Sequence, residues 1–411
     1  MQKPKVIILG AGYGGIIASR ELEKTLKSGE ADVTLINKHD YHYISTQLHK
    51  IGAGTGSDEK IALHIPDLLK TDKVQFKRAT VNNVDLKEKK VFLDNGDEMD
   101  YDYLLVSLGF DVDTFGIPGV EEHAFKIRSF RSSKGINNHI QKQFQAFKKD
   151  GDLSRLTFVV AGAGFTGIEM VGELVDNLPK LCKKYGIPAE KTRIVNIEAS
   201  NSILPSFDAK AIEFTTEYLR KNGVELMTSA KIVECTEDSI RLHNGKEISS
   251  RTLIWSGGVR ANRLLEKLNV PLVRGKLPVD QFLRVKDFEG VFSVGDAAYC
   301  MKDADTALPP TGQVAIQQAQ ACGPNIAAAI RGQELKPFTY HHKGTVASIG
   351  SRAAVGNVFG LKITGLFASF MKQVVEARYL FVLGGPIFMA KALLNLNGKG
   401  AYTKTVSTND K

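Results

Sequence analysis

The stretch KVIILGAGYGGIIASREL, residues 5–22, contains an apolar run, a glycine-rich turn and the start of a helical pattern. Val6 to Leu9 has no polar residue, as expected for a strand buried on both faces of a parallel sheet. The turn that follows has the pattern GxGxxG, in which glycines permit a tight turn, a close approach of backbone to a pyrophosphate, and packing of helix on strand. The expected cofactor contacts in this turn are Gly10, Gly12, Tyr13, Gly14 and Gly15.

Two later segments complete this first unit. The strand from Val33 to Ile36 ends at Asn37 and Lys38, where such units usually carry an acidic residue for the ribose hydroxyls. Asn37 is an uncharged acceptor, so the ribose contact is predicted less firmly than the turn. An apolar strand beginning at Tyr101 ends at Gly109, as is typical of the strand that closes over the adenosine half of a flavin cofactor. Asn37, Lys38 and Gly109 are therefore also expected to contact the first cofactor.

The same arrangement recurs further along the chain. The strand from Thr157 to Val160 leads into the turn GAGFTG at 162–167, and the next strand ends at Glu198. A carboxylate at that position binds both ribose hydroxyls and repels a 2′-phosphate, so NADH is favoured over NADPH. The segment 179–192 is interpreted as an insertion that lengthens the spacing between turn and carboxylate. The expected NADH contacts are Gly162, Gly164, Gly167, Glu198, Gly257 and Gly258.

The stretch from Val291 to Gln320 is expected to join the cofactor to a second substrate. A short buried strand ends at Gly295 and Asp296, where a carboxylate can hold a ligand hydroxyl. Asp296 and Ala297 are therefore expected to contact the cofactor of the first unit. A helix then begins near Thr311, a suitable N-cap residue. Gln313 and Gln317 share one face of that helix and present uncharged amides to a polar substrate.

Glu169 lies at the start of the helix that follows the second turn. The helix N-terminus would lower the pKa of its carboxyl, whereas burial near a flavin would raise it. Glu169 is predicted to handle a proton near the junction of flavin and nicotinamide. The alternative is a glutamate that only interacts favourably with the helix dipole.

Composition restricts the class of protein. The chain has 411 residues, of which 43% are hydrophobic and 24% charged, as in a folded globular protein of two or three domains. Neither a signal peptide nor an apolar run of the roughly 20 residues that a spanning helix needs is evident, so a cytoplasmic location is expected. The four cysteines form no CxxC pair, and no metal site is predicted.

The C-terminal fifth of the chain is basic and amphipathic. Residues 331–411 contain 11 Lys and Arg against 3 Asp and Glu, a net charge of +8 out of a total of +9. A helical pattern there has one apolar and one polar face, and a second short helix is expected to start at Pro386, after the break at Gly384 and Gly385. The predicted apolar face comprises Ile363, Leu366, Phe367, Phe370, Met371, Val374 and Val375, and the polar face Lys362, Ser369, Lys372, Gln373 and Glu376.

This region is predicted to lie on the surface of a lipid membrane without crossing it, because basic residues are interleaved with apolar ones. The alternatives are an amphipathic cap on a domain core and a dimer interface. Lys372 is a candidate for contact with the second substrate, and a lipid phosphate is its alternative partner. Nucleic-acid binding is not expected, since the charges are not interleaved with exposed aromatic residues.

These motifs together resemble the two-dinucleotide flavoprotein reductases, and among them the type II NADH dehydrogenases. The resemblance rests on the two GAG turns, GFTGIE at 164–169, SGGV at 256–259, VGDAA at 294–298 and PPTGQVAIQQ at 309–318, and it covers nearly the whole chain. It implies non-covalent FAD with Asp296 on its ribityl or pyrophosphate part, NADH held by the second unit and Glu198, and quinone reduction near Gln313 and Gln317. The chain departs from the family pattern at Gly312, where alanine is common, and at Asn37, where an acidic residue is usual.

The resulting prediction is an α/β fold with two Rossmann-like dinucleotide-binding domains, arranged as in glutathione reductase, and a C-terminal membrane-associating region. The predicted domains are residues 1–120 and 280–330 for FAD, 121–279 for NADH and 331–411 for the membrane. The predicted enzyme is a non-proton-pumping NADH:quinone oxidoreductase of the respiratory chain, peripheral on the cytoplasmic face of the cell membrane. It would act on menaquinone or ubiquinone, and a homodimer is expected.

Two other functions are compatible with the sequence. A sulfide:quinone oxidoreductase of the same fold would need a redox pair of cysteines, for which Cys300 and Cys322 are the candidates. A flavin-bound NADH sensor or scaffold with slow turnover is the second alternative.

Overall fold

The structure is a computed structural model that describes residues 3–70 and 72–394. The first third of the chain contributes strands and mostly short helices. In chain order they are β1 (Lys5–Leu9), α1 (Tyr13–Thr25), β2 (Asp32–Asn37), β3 (Tyr41–Tyr43), α2 (Leu48–Ala53), α3 (Asp58–Ile61), β4 (Ala62–His64), α4 (Ile65–Leu68), β5 (Val74–Arg78), β6 (Val81–Asp85), β7 (Lys90–Leu93), β8 (Glu98–Asp100), β9 (Tyr103–Val106), β10 (Phe110–Val112), α5 (Val120–His123) and β11 (Phe125–Lys126).

The middle and last parts of the chain contribute the remaining elements. The middle part contains α6 (Phe130–Asp150), β12 (Thr157–Ala161), α7 (Phe165–Tyr185), β13 (Arg193–Ile197), α8 (Ala209–Lys221), β14 (Val224–Met227), β15 (Ile232–Cys235), β16 (Ser239–Leu242), β17 (Glu247–Ser249), β18 (Thr252–Trp255) and β19 (Val259–Ala261). The last part contains β20 (Leu277–Pro278), β21 (Val291–Ser293), β22 (Ala298–Tyr299), α9 (Gly312–Ile330), β23 (Thr345–Ser348), β24 (Ala354–Val358), β25 (Leu361–Thr364) and α10 (Gly365–Leu393). Short 3-10 turns lie at Ser45–Gln47, Leu153–Leu156, Ala189–Lys191, Arg263–Leu268 and Gly295–Ala297.

Two parallel sheets of five strands form the body of the protein. The first has the order β21-β9-β1-β2-β5 and the second the order β11-β18-β12-β13-β14. In each sheet the strand that leads into a glycine turn is central, and its side chains are almost wholly buried. A central strand covered on both faces is apolar throughout, which explains the runs at Val6–Leu9 and Phe158–Ala161. The prediction of two Rossmann-like units is confirmed.

Strand β21 returns the chain to the first sheet. It pairs in parallel with β9, after the second sheet has been completed by β11 to β18. Ala261, Leu265 and Leu277 also pack in a core of the first unit, together with Val106. The predicted domain boundary at residue 279 stays a prediction, and this packing favours an earlier end of the second unit.

Helix α7 shows the form of the predicted insertion over 179–192. It has 21 residues against the 13 of α1, continues through Pro179 to Tyr185 and ends with Gly186 in the left-handed conformation, at φ 68°. The long spacing between the second turn and Glu198 therefore comes mainly from a 21-residue helix. Proline disfavours a helix interior, although a helix held by tertiary packing tolerates it.

The C-terminal part consists of the antiparallel sheet β23-β24-β25 followed by α10. Helix α10 is interrupted at Gly385, where φ is 78° and ψ is −174°, and Pro386 starts its last segment as predicted. Lys362 and Ile363 are predicted on the helix but lie in β25. No helix among the described residues has the length and apolar character needed to cross a membrane. Residues 395–411, part of the predicted membrane region, lie outside the described residues.

The apolar face of α10 points away from the protein. Leu366 and Phe367 are 73% and 60% exposed, whereas Ser369 is buried and Lys372 and Glu376 are largely covered. The exposed apolar side chains of this region, hereafter the outer apolar face, are Phe359, Leu361, Leu366, Phe367, Phe370, Val374, Val375, Phe381, Ile387, Leu393 and Leu394. An amphipathic helix that caps a core would have the opposite orientation.

Candidate active site

The first glycine turn lies at the carboxyl edge of the first sheet. Leu9 pairs with both Ile36 and Val106, so the residues after the three strands meet there. Gly10 has φ of 90°, and a Cβ on Gly15 would lie 1.8 Å from the Gly10 carbonyl oxygen. Helix α1 can begin so close to β1 only because Gly15 has no side chain.

This turn fits a pyrophosphate group. Helix α1 begins after Gly12 with no side chain capping its N-terminus, so its first backbone N–H groups remain available as donors. Within the described part of the chain, no atom would lie within 4 Å of a Cβ added to Gly12, which leaves open space in front of those donors. A site of this kind suits the pyrophosphate of a dinucleotide.

The second turn has the same construction. Gly162 has φ of 94°, a Cβ on Gly167 would lie 2.0 Å from the Gly162 carbonyl oxygen, and nothing lies within 4 Å of a Cβ on Gly164. Helix α7 also starts without a side-chain cap. Both turns are therefore built to receive a phosphate group at a helix N-terminus.

Two serines that the sequence reasoning missed secure the turns. Ser107 donates to the Leu9 carbonyl oxygen at 2.7 Å, and Ser256 donates to the Ala161 carbonyl oxygen at 2.7 Å. Each is the residue directly after the strand that flanks the glycine strand. That shared position in the two units was a signal available from the sequence.

Asn37 and Glu198 occupy equivalent positions. Asn37 Oδ1 accepts the N–H of Ala11 at 3.1 Å, and Glu198 Oε2 accepts the N–H of Ala163 at 2.6 Å. Each side chain thus holds its own glycine turn, which explains how asparagine serves where an acidic residue is usual. Their predicted contacts with ribose hydroxyls stay predictions.

The remaining predicted dinucleotide contacts surround these turns. Gly109 has φ of 70° and open space at its Cβ position. A Cβ on Gly258 would lie 2.6 Å from the ring of Phe115, so this ring covers the backbone at the Gly257–Gly258 pair. Burial, together with the nearby charge of Arg128, lowers the pKa of Lys38.

Asp296 lies in the turn that follows β21. Burial raises the pKa of its carboxyl, and the charge of Lys276 acts in the opposite direction. Across residues 3–70 and 72–394, no hydrogen bond to this carboxylate is formed by another side chain or by backbone. A largely enclosed carboxylate with unused acceptors suits the ribityl hydroxyls of FAD. The adjoining Ala297 is fully buried, and Gln318 accepts the N–H of Gly295 at 2.7 Å.

Glu169 is the centre of a buried polar cluster that joins three parts of the chain. Its Oε1 lies 2.7 Å from Lys372 Nζ on α10 and accepts from the N–H and Oγ of Ser348, both at 3.2 Å. Its Oε2 lies 3.4 Å from Nδ1 of His49 on α2. Helix α7 of the second unit is thereby linked to the first unit and to the C-terminal part.

The charge of this cluster follows from its contacts. Burial acts to raise the pKa of Glu169, but Lys372, His49 and Ser348 outweigh it and lower that pKa. Burial acts to lower the pKa of Lys372, and the neighbouring Glu169 carboxylate raises it instead. The two form an ion pair at neutral pH, and among the groups that lower the pKa of Glu169 the charge of Lys372 on α10 has the largest effect.

Lys372 does not meet lipid phosphate in this arrangement. Its side chain is only 14% exposed, and the ammonium group binds Glu169 and the Val346 carbonyl oxygen. The alternative of a lipid-phosphate contact is therefore disfavoured. His49 was missed by the sequence reasoning, and its buried Nε2 has no partner among the described residues.

Gln313 and Gln317 do lie together on α9, as predicted. Gln313 accepts the N–H of Lys343 at 2.7 Å and donates to the Gly344 carbonyl oxygen at 3.1 Å. Gln317 exchanges two hydrogen bonds with the backbone of His341, each at 3.0 Å. Both amides are occupied by the segment 340–344, a contact that the sequence did not reveal. Their contact with quinone stays a prediction.

The cysteines do not form a redox centre among the described residues. All four are free thiols and all are buried. Burial raises the pKa of both Cys300 and Cys322, which opposes formation of the reactive thiolate. No group of side chains that could hold a metal ion occurs in residues 3–70 and 72–394.

Two parallel sheets, two glycine turns and the enclosed carboxylate of Asp296 define the class, an oxidoreductase with two dinucleotide-binding units. The family model described as pyridine nucleotide-disulphide oxidoreductase matches residues 4–321. Proteins named type II NADH:quinone oxidoreductase, from Staphylococcus aureus and Staphylococcus haemolyticus, are 38% identical over 93% of this chain and 96% of their own length. The chain belongs to the pyridine nucleotide-disulphide oxidoreductase family and, within it, to the type II NADH:quinone oxidoreductases.

Solved structures agree with this fold. NDH2 from Plasmodium falciparum in complex with NADH has a TM-score of 0.84 at 20% identity, covering 97% of this chain and 99% of that one. The sulfide:quinone oxidoreductase from Aquifex aeolicus has a TM-score of 0.74 at 19% identity, covering 97% and 96%. At these identities the likeness concerns the fold alone.

Proposed function

We propose that this protein is an FAD-dependent, non-proton-pumping NADH:quinone oxidoreductase of the respiratory chain. The observation that carries the proposal is the pair of glycine turns, each at the carboxyl edge of its own parallel sheet. Each turn leads into a helix whose N-terminus has no side-chain cap. One chain can then hold two dinucleotides, a flavin and a nicotinamide. The acceptor is inferred from the relatives named type II NADH:quinone oxidoreductase.

The first unit is assigned to FAD, held without a covalent bond. The N-terminus of α1 would bind its pyrophosphate, and Asp296 would accept hydrogen bonds from its ribityl hydroxyls. When bound, FAD supplies the capacity to take a hydride from NADH and to pass two electrons to a quinone.

The second unit is assigned to NADH. The N-terminus of α7 would bind its pyrophosphate and Glu198 its ribose. The carboxylate of Glu198 already accepts the Ala163 N–H through Oε2 and the Ser200 N–H through Oε1. Each oxygen retains a further acceptor site for a ribose hydroxyl.

Glu169 is proposed to handle a proton during reduction of the quinone. A quinone takes up two electrons and two protons to become a quinol, so a proton-holding group is needed near the acceptor. Glu169 is ionised at neutral pH through its contact with Lys372, so it would first take up a proton from solvent and then pass that proton to the reduced quinone. Lys372 is proposed to hold Glu169 in place and to contact the quinone.

Gln313 and Gln317 are proposed to contact the quinone, on the condition that their present hydrogen bonds are shared or displaced. Their amides are bonded to the segment 340–344, so a quinone carbonyl must share or displace these bonds. Donation from Gln313 Nε2 can pass from the Gly344 carbonyl to a quinone carbonyl without loss of a hydrogen bond.

The outer apolar face is proposed to lie in the surface of an anionic membrane. A buried Phe or Leu side chain contributes about 1.5–3 kcal/mol, and each Lys or Arg near an anionic surface adds about 1 kcal/mol. Lys362, Arg378 and Lys391 are exposed in the same region.

The cytoplasmic face of the membrane is proposed because all four thiols are free, as is usual in a reducing compartment. The expected homodimer stays a separate prediction.

An anaerobic two-step mixing experiment tests the enzyme function. Purified protein loaded with FAD is mixed first with NADH and then with menadione, while flavin absorbance is followed. Bleaching by NADH and recovery on adding the quinone are the expected results. Bleaching without recovery would contradict the quinone acceptor and favour a sensor. Absence of bleaching by NADH, with bleaching by sulfide, would support the sulfide:quinone alternative. Repeating the second step with menaquinone and ubiquinone analogues would identify the preferred quinone.

A further inference from the structure

Three aromatic side chains join the first glycine turn to the C-terminal helix. The ring centroids of Tyr13 and Tyr379 lie 4.7 Å apart in an edge-to-face arrangement, and His42 lies within 6 Å of both. His42 and Tyr379 are 1% and 8% exposed. Tyr13 belongs to the glycine turn, His42 to β3 and Tyr379 to α10. Residues far apart in the sequence thus meet beside the proposed flavin turn.

The hydrogen bonds of this cluster have a defined direction. His42 Nδ1 lies 2.8 Å from the Ala11 carbonyl oxygen, which can only accept, so Nδ1 carries the proton. Burial lowers the pKa of His42 to about 4, so the ring is neutral near pH 7 and its Nε2 is an acceptor. Tyr379 therefore donates its hydroxyl proton to Nε2 over 2.7 Å. A continuous chain of two bonds runs from α10 to the turn.

The point of attachment is the residue between the first two glycines of the turn. Ala11 donates its N–H to Asn37 and accepts from His42 through its carbonyl, so both of its polar groups are held by side chains. The bond to Asn37 fixes the peptide plane between Gly10 and Ala11, and the bond from His42 fixes the plane between Ala11 and Gly12. That plane orients the uncapped N-terminus of α1, where the pyrophosphate is expected.

We propose that Tyr379 is a positioning residue for FAD: through His42 it holds the Ala11–Gly12 peptide in the orientation that binds the pyrophosphate. The C-terminal helix is then part of the flavin site as well as the proposed membrane surface. This inference rests on the proposed assignment of FAD to the first unit. It adds a dependence of FAD affinity on a residue near the end of the chain.

Loss of the Tyr379 hydroxyl has a predictable effect on this chain of bonds. It leaves His42 Nε2 buried without a donor, and a buried unsatisfied acceptor is costly. His42 can then turn toward other partners, and its hold on Ala11 weakens. An increase of about tenfold in the Kd for FAD is expected, which corresponds to about 1.4 kcal/mol.

The test compares Tyr379→Phe with Tyr103→Phe in the full chain. Tyr103 lies in the same unit, and its hydroxyl donates to the Ala329 carbonyl oxygen at 3.1 Å and not to the glycine turn, so it is a matched control. The holoprotein is diluted, and the release of FAD is monitored through the recovery of flavin fluorescence. Tyr379→Phe should raise the Kd for FAD about tenfold, and Tyr103→Phe should leave it unchanged.

A second comparison separates positioning from general loosening of the fold. His42→Ala should also weaken FAD binding, and Tyr379→Phe should have no further effect in that background, because both changes break one chain of bonds. Equal affinity of Tyr379→Phe and the wild type would overturn the inference, as would additive effects of the two substitutions. Failure of the wild-type protein to bind FAD would instead overturn the proposed function.

Discussion

At the scale of single residues, the pairing of Glu169 with Lys372 has the largest consequences. Both charged groups are largely shielded from water, since the side chain of Glu169 is 6% exposed and that of Lys372 is 14% exposed. Each keeps the other ionised, since burial alone would neutralise both. The pair therefore fixes α10 against α7 and also sets the protonation state of the proposed proton-handling group.

Replacing Lys372 by methionine is expected to lower the free energy of unfolding by about 3–5 kcal/mol at pH 8, because a buried carboxylate is left without its partner. In the wild type the lowered pKa of Glu169 gives stability that is present above its unfolded pKa and lost as the pH falls through the folded pKa. In the variant burial is expected to raise that pKa, so acid relieves the cost. The loss measured by urea unfolding should be smaller at pH 5 than at pH 8.

Lys50→Met provides a control for this measurement. Lys50 pairs with Glu376 at 3.0 Å, but both side chains are more exposed, at 25% and 17%. A loss of about 1 kcal/mol with weak pH dependence is expected for such a pair. Equal losses for the two lysine variants, or a larger loss at pH 5 for Lys372→Met, would contradict the argument.

Gly312 departs from the alanine common in the family, and the structure gives a steric reason. A Cβ at this position would lie 2.9 Å from the Tyr13 ring, which is held by Thr46 and packed on Tyr379. Gly312→Ala should therefore lower the free energy of unfolding by about 1–3 kcal/mol through overpacking, despite the better helix propensity of alanine.

The same substitution made in a Tyr13→Ala background should be neutral or stabilising, since the clash is gone. A double-mutant cycle by chemical denaturation measures this coupling. An equal cost in both backgrounds would show that the ring of Tyr13 is not what excludes alanine.

At the scale of elements, substitutions at different glycines of one turn should affect ligand binding and protein stability separately. Gly164→Ala places a methyl group where no protein atom lies within 4 Å, in front of the α7 N-terminus. The stability of the protein should stay unchanged, whereas the Kd for NADH should rise about 10- to 100-fold through a clash with the pyrophosphate. Calorimetric titration with NADH and thermal unfolding measure the two quantities.

Gly167→Ala is the contrasting variant in this experiment. Its Cβ would lie 2.0 Å from the Gly162 carbonyl oxygen, so it should lower stability even without ligand. FAD content should be retained in Gly164→Ala, because the first turn is untouched. Unchanged NADH affinity of Gly164→Ala would remove the second turn from the nucleotide site.

The sequence predicts an element well where neighbouring residues determine it, and poorly where contacts between distant residues determine it. The strands, both turns and the break at Gly385 follow from short patterns, and the structure agrees with them. The insertion over 179–192 follows from the spacing between turn and carboxylate, but its form, a helix that continues through Pro179, depends on tertiary packing. The helical period identifies which residues form the apolar face of α10, but it does not predict whether that face packs against the protein or is exposed. The meetings of His49 with Glu169 and of His42 with Tyr379 depend on folding of the whole chain, and no local pattern contains them.

At the scale of the whole molecule, α10 meets the body through largely covered residues such as Tyr379 and Lys372, and it carries most of the outer apolar face on its other side. Replacing Phe367 and Phe370 by glutamate should reduce sedimentation with anionic phospholipid vesicles at least tenfold, because two inserted rings are lost. Both side chains are 58–60% exposed, so the melting temperature should not change. Leu153→Glu, at a residue 57% exposed on the second unit, is the control and should bind vesicles normally.

The outcome of that experiment also decides between lipid and a second copy of the chain. If the double variant binds vesicles as the wild type does, the lipid proposal is wrong. If it instead changes from dimer to monomer in analytical ultracentrifugation, with vesicle binding unaltered, the outer apolar face is a subunit interface.

The break in α10 implies an unusual pattern of tolerated substitutions along the C-terminal helix. Among residues 3–70 and 72–394, no atom would lie within 4 Å of a Cβ added to Gly385, so sterics there would permit a larger side chain. Its backbone angles, φ 78° and ψ −174°, nevertheless belong to a region that only glycine enters readily. In a library containing every amino acid at every site of this helix, Gly385 would therefore be among the residues that accept the fewest replacements, although it has room for them. The direction in which the last helical segment leaves the body is thus encoded by the absence of a side chain.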